Sequence, residues 1–140
     1  MDYILLFQPF IATIIPYNDN RDWYARLNKS KLTPPSITFP IVWSLLYLSL
    51  GYIAIINKKS GLLWWMIYEI QLLLNFAWSP IYFGKKDPKT SFKLIIGMVI
   101  MTCILIIFSN NYTRKLLIPY FIWLLFASYL NYEIINLNNF

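Results

Sequence analysis

The sequence predicts an all-α integral membrane bundle of five transmembrane helices, and three observations carry that expectation. Of the 140 residues, 59% are hydrophobic and only 13% charged, with a mean hydropathy of +0.53; about a quarter of the residues in a soluble domain are charged. The charges fall almost entirely between apolar runs, where residues excluded from hydrocarbon belong. A bilayer core about 30 Å thick needs roughly 20 apolar residues per helix, so this length holds about five spans and short loops as one membrane domain.

The first span is expected over 3–17 and contains Gln8 and Pro9. It reaches only about 22 Å at 1.5 Å per residue, so it must borrow flanking residues, sit in a thinned bilayer or be sheltered by the bundle. A cleaved signal peptide would show a positive n-region and a small-residue cleavage site, and neither is visible. The polar segment 18–36 carries Asp19, Arg21, Asp22, Arg26, Lys29, Lys31 and the pair Pro34-Pro35. It reads as the one long loop, stiffened by prolines that forbid helix just before them. Span two runs over 37–56 with Pro40 in its first turn, where a missing N–H is harmless. Span three runs over 61–83 and ends in a basic turn, 84–89. Span four is expected over 92–108 and span five over 116–137, with Pro119 in its first turn. Trp64, Trp65, Tyr112, Tyr120, Tyr129 and Tyr132 fall toward span ends, where amphipathic rings favour the headgroup level.

The net charge of +6 belongs to the loops. Its 12 basic residues are scattered in small groups beside the spans and form no stripe for nucleic acid, so membrane lipid headgroups are the simpler partner. With five spans, one side holds eight basic residues, Arg21, Arg26, Lys29, Lys31, Lys85, Lys86, Lys89 and Lys93. The other holds Lys58, Lys59, Arg114 and Lys115, so the long loop and the C-terminus are expected in the cytoplasm. A single cysteine and no histidine exclude disulfide pairs, Cys/His zinc sites, histidine-ligated haem and histidine-based nucleophilic catalysis. Cys103, among Met98, Met101, Ile104 and Leu105, reads as an inert packing thiol.

Function, if it resides in the spans, begins with Gln71, Asn75, Trp78 and Tyr82, whose spacings of four, three and four share one helix face. A buried amide without a partner costs about 1–3 kcal/mol, so that face must point into the bundle or a cavity. Tyr120, Trp123, Ala127, Leu130 and Ile134 form a second stripe; Trp43, Tyr47, Gly51 and Ala54 form a third. Three such faces enclose a flat apolar ligand or simply pack against one another, since small and aromatic residues also mediate ordinary helix contacts. Glu69 lies roughly 160° from the Gln71 face and is a candidate for proton coupling, whereas Glu133 sits near a span end.

Several stretches resemble the TspO/translocator family, also known as tryptophan-rich sensory or peripheral-benzodiazepine-receptor proteins. They are Trp23-Tyr24-x-x-Leu27-x-Lys29 followed by Pro34-Pro35, and Phe39-Pro40-x-Val42-Trp43-x-x-Leu46-Tyr47. Two more follow in order, Gln71-x-x-x-Asn75-x-x-Trp78-Ser79-Pro80-x-x-Phe83 and Pro119-Tyr120-x-x-Trp123-x-x-Phe126-Ala127-x-x-Leu130-Asn131. The resemblance implies a five-helix bundle, usually a homodimer, with a cavity beneath the long loop for porphyrins, haem-related tetrapyrroles, sterols and synthetic ligands. Carried over residue by residue, it implies that Trp43, Tyr47, Asn75, Trp78, Trp123, Phe126, Ala127 and Leu130 line that cavity. Arg26, Lys29 or Lys31 would then meet propionates at its mouth. It assigns no catalytic residue, metal or required cofactor, although Trp43 and Trp123 become candidates for light-dependent porphyrin breakdown. No basic residue follows Tyr132, so the sterol-recognition pattern at the end of helix five is absent. The expected function is a tetrapyrrole receptor or carrier; the rivals are a transporter coupled through Glu69 and a structural membrane adaptor.

Overall fold

A computed structural model describes residues 2–140, and among them every regular element is helical. The chain opens with α1 (Asp2–Phe7), which tightens into a 3-10 segment, Gln8–Thr13. Pro9 has no N–H to return to the preceding turn, so the α-helical ladder cannot continue through it. The helical part of the first segment therefore ends four residues before the expected boundary at 17. A short helix, α2 (Arg21–Ala25), lies inside the long polar segment that was expected to be loop. Four long helices follow: α3 (Thr38–Ile56), α4 (Leu62–Ser79), α5 (Pro88–Ile107) and α6 (Asn111–Leu137). By length and composition α3, α5 and α6 can each cross a membrane. The 18-residue α4 falls outside that group because Glu69, Gln71 and Asn75 dilute its apolar character.

Local chemistry explains the helix ends. Gly61 precedes α4 at φ 93°, a conformation that a side chain would strain. Beyond Ser79, Pro80 cannot donate to the carbonyl four residues back, and the backbone widens into a π-type turn, Pro80–Gly84, closed by Lys85 N–H on the Pro80 carbonyl at 3.1 Å. Asp87 caps α5 by accepting from the Thr90 amide at 3.0 Å and the Thr90 hydroxyl at 2.6 Å. Pro88 occupies the first helical turn. Asn110 caps α6 in the same way, accepting from Thr113 N–H at 2.9 Å.

These two caps correct two expected boundaries. α5 begins four residues before 92 and α6 five before 116, because hydropathy marks where a span is apolar and the cap marks where the helix starts. Pro119 consequently lies inside α6 and not in its first turn. The same shift moves Tyr120 deep into the bundle, where it is only 1% exposed. Trp64 is also buried, at 2% exposed, and donates its ring N–H to Ser109 Oγ at 2.9 Å. Neither is a headgroup anchor. Cys103 is exposed on α5, so it is not a packing thiol within the chain.

The helices close a ring. α1 and its 3-10 extension pack between α3 and α4; α4 packs on α5, α5 on α6, and α6 returns to α3. The α1–α3 crossing is close because Gly51 faces the Leu6 backbone, with room for no side chain. Leu50, Ile53, Tyr68, Leu72, Met98, Leu105, Leu117 and Leu124 fill the interior. Leu45, Leu73, Ile100 and Ile122 stand bare on the outer faces, as lipid contact requires.

Candidate functional site

At the centre of the ring, polar side chains from three helices form one hydrogen-bonded chain. Tyr47 on α3 donates its hydroxyl to Asn75 Oδ1 on α4 at 3.1 Å. Asn75 Nδ2 donates to the Tyr120 hydroxyl on α6 at 3.1 Å, and Tyr120 donates in turn to Gln71 Oε1 at 2.6 Å. The Gln71–Asn75 face thus points inward, as its amides demand. Asn75 is 5% exposed and uses both ends of its amide within the protein. The Gln71 Nε2 donor has no partner.

An aromatic cluster adjoins this chain on the side of the long loop. Trp43 lies over Tyr47 with centroids 5.6 Å apart and meets Trp123 edge-on at 6.3 Å. Trp123 also touches Phe39 at 6.0 Å and Phe126 at 5.6 Å. Ala127 and Trp123 pack against the core on the same part of α6, and Leu130, one turn on, is half-buried. The Trp123 ring nitrogen is shut away from solvent and has no acceptor. Trp78 stands apart: its ring stacks on Tyr82 at 4.5 Å, and its N–H donates to Asn131 Oδ1 at 3.1 Å. Asn131 is itself anchored by donating to the Pro88 carbonyl at 3.0 Å. The expected residues therefore form two groups, one around Trp43 and Trp123 and one around Trp78.

The long loop is a lid with defined seats. Trp23 and Tyr24 pack edge-on against Tyr82 at 6.1 and 5.9 Å, and Asn20 donates to the Phe83 carbonyl at 2.7 Å. On the other side, Asn138 at the end of α6 accepts from Asn28 N–H and donates to the Asn28 carbonyl, both at 2.9 Å. Lys29 folds back under the lid, with its ammonium 4.6 Å above the Tyr24 ring and donating to the Ala25 and Leu27 carbonyls. Desolvation there holds its pKa below the ordinary lysine value, and burial pushes the Tyr24 phenol up. The lid folds around a pocket of 380 Å³, lined by its own Tyr24, Lys29, Pro34 and Pro35 and, from the first turn of α3, by Phe39. Phe39 is the lining residue that touches Trp123, which does not itself line the pocket.

Glu69 is half-buried on α4 beside the 3-10 segment, where Gln8 Nε2 donates to its carboxylate at 2.9 Å. It does not join the central chain, in keeping with its angular offset from Gln71. No group of three or more metal-ligating side chains occurs among the described residues.

Residues 4–137, which carry the lid, the inward amides and the paired tryptophans, match the model of the TspO/MBR family. The chain belongs to the TspO/MBR family. Among relatives of this TspO/MBR protein, the tryptophan-rich protein TspO of Archaeoglobus fulgidus is 36% identical, covering 92% of this chain and 88% of its own length. The tryptophan-rich sensory protein of Cereibacter sphaeroides is 31% identical over 84% of this chain and 77% of its own. The human translocator protein is 30% identical over 88% and 79%. The TspO/MBR protein described here is accordingly a membrane protein with an all-α bundle. Asn131 and Phe39 are the residues left outside the expected site; both stand in the motifs that carry the family resemblance, whereas Tyr120 already lay on the second stripe.

Proposed function

We propose that this protein is a multi-pass membrane receptor or carrier for flat apolar ligands, porphyrin and haem-related tetrapyrroles first among them. The ligand would lie beneath the lid against the faces of Trp43, Phe39 and Trp123. The observation that carries this reading is the Trp123 indole N–H, a donor withheld from water and from every acceptor among the described residues, one aromatic ring, Phe39, away from the lid pocket. Leaving such a donor unpaired costs about 1–3 kcal/mol, and a ligand acceptor would recover it. The pocket volume of 380 Å³ falls within the roughly 300–1,000 Å³ of small-molecule sites.

Larger macrocycles require the lid to lift, and its polar seats at Asn20 and Asn138 allow that at modest cost. Arg26 and Lys31 on the lid suit ligand propionates. The names translocator and tryptophan-rich sensory protein, carried by relatives, agree with a role in moving or detecting a ligand. The reading includes a homodimer whose bare apolar faces meet lipid or the second copy, with the lid and C-terminus in the cytoplasm on the side of the eight basic residues.

The test is quenching of tryptophan fluorescence by protoporphyrin IX, in detergent and in the dark, for the wild type and Trp123→Phe. Saturable quenching that weakens in the variant supports the reading and opens the question of light-dependent breakdown at Trp43 and Trp123. Linear quenching, identical in both proteins, overturns it.

A further inference from the structure

The lid and the last turns of α6 flank a second, open crevice of 340 Å³, whose Ser30, Leu32, Tyr129, Glu133 and Leu137 the tetrapyrrole reading does not use. Its lining combines unspent charge with bare hydrocarbon. Lys31 and Glu133 have no hydrogen-bond or ion-pair partner among the described residues. Lys29 uses two of its three N–H groups on the Ala25 and Leu27 carbonyls and keeps one. Ser30 and Tyr129 share one hydrogen bond at 3.2 Å, and Ser30 Oγ also accepts from Leu32 N–H. Whichever hydroxyl donates, the other retains a free O–H. At the rim, Leu32 is 65% exposed and Leu137 is 40% exposed. The interface of a bilayer supplies both hydrocarbon for the two leucines and phosphate for the lysines.

We propose that this crevice binds the headgroup of an aminophospholipid. Lys31, the remaining N–H of Lys29 and the free hydroxyl hold the phosphate; Glu133 accepts from the primary ammonium; Leu32 and Leu137 cover the start of an acyl chain. The charge pattern selects this occupant. A headgroup carrying only negative charge leaves Glu133 facing an anion, and a quaternary ammonium has no N–H to donate to the carboxylate. The two lysines and the glutamate together match a phosphate joined to an ammonium by a short linker.

Native mass spectrometry of the full chain, delipidated in detergent, tests the assignment with phosphatidylethanolamine, phosphatidylglycerol and phosphatidylcholine of identical acyl chains. The expected result is retention of phosphatidylethanolamine about fivefold above phosphatidylcholine, the ratio a partly exposed ion pair supplies. Lys31→Gln lowers retention of all three lipids, and Glu133→Gln removes the preference for the ethanolamine lipid while leaving phosphatidylcholine binding unchanged. Neither residue makes a hydrogen bond that the fold depends on, and thermal unfolding of both variants verifies that they are native. Equal retention of the three lipids, a preference for phosphatidylglycerol, or an ethanolamine preference that survives Glu133→Gln overturns the proposal.

Discussion

Replacing Gly51 with alanine puts one methyl group into the crossing of α1 and α3. An alanine Cβ there would sit 2.8 Å from both the Cα and the carbonyl carbon of Leu6, and nearer still to its oxygen. Carbon atoms pack at roughly 3.5–4.0 Å, so α1 must retreat by on the order of 1 Å. No rotamer change relieves the clash, because every atom met is backbone. Overpacking of this kind costs about 1–3 kcal/mol, against about 1 kcal/mol gained from alanine's helix propensity. With a backbone obstacle the penalty belongs at the top of its range, leaving a net loss of about 2 kcal/mol. The retreat also pulls Gln8 away from Glu69 and Phe10 away from Tyr47, whose rings now meet at 5.6 Å. Gly97→Ala is the control, since its Cβ would meet only the Leu74 Cδ1 at 3.2 Å, the movable tip of a side chain. Thermal unfolding in detergent should show Gly51→Ala melting several degrees below the wild type and Gly97→Ala close to it. A Gly51→Ala variant as stable as Gly97→Ala would refute the close crossing and the ring order built on it.

Asn75→Ala removes the acceptor of Tyr47 and one donor to Tyr120, and is expected to cost about 1–3 kcal/mol in the same unfolding assay. The two tryptophans should separate: Trp78→Phe loses the bond to Asn131 and destabilises by about 1 kcal/mol, whereas Trp123→Phe gives up a donor with no protein acceptor and changes stability less. Bonds from Thr90 hold the Asp87 carboxyl below the usual carboxylate range. A depressed pKa means that the cap's contribution is complete above the unfolded value, near 3.9, and is lost as pH falls through the folded one. Hydrogen exchange at the Thr90 amide should therefore keep its protection at neutral pH and lose it only in strong acid. Asn138→Ala cuts both bonds to Asn28 and should make the lid more susceptible to limited proteolysis without altering the melting of the bundle.

Composition and charge placement alone determined that this protein is a helical membrane bundle, because a bilayer leaves an apolar chain few other ways to satisfy its backbone. The inward direction of Gln71 and Asn75 was equally legible, since amides four residues apart cannot both face lipid cheaply. Helix starts were not, because a cap is a hydrogen bond between a loop side chain and an amide three residues on, invisible to hydropathy. Thus the run 109–115 between the expected spans read as a turn, and Tyr120, although on the inward stripe, was also placed toward a span end. Only the tertiary structure decided which partners the inward faces find. It spent both ends of the Asn75 amide on Tyr47 and Tyr120 and gave Trp78 an acceptor on α6. It left the Trp123 donor unpaired beside the lid. Such pairings join residues 28 to 53 positions apart, and their geometry depends on how four helices cross, which no local pattern along one helix encodes.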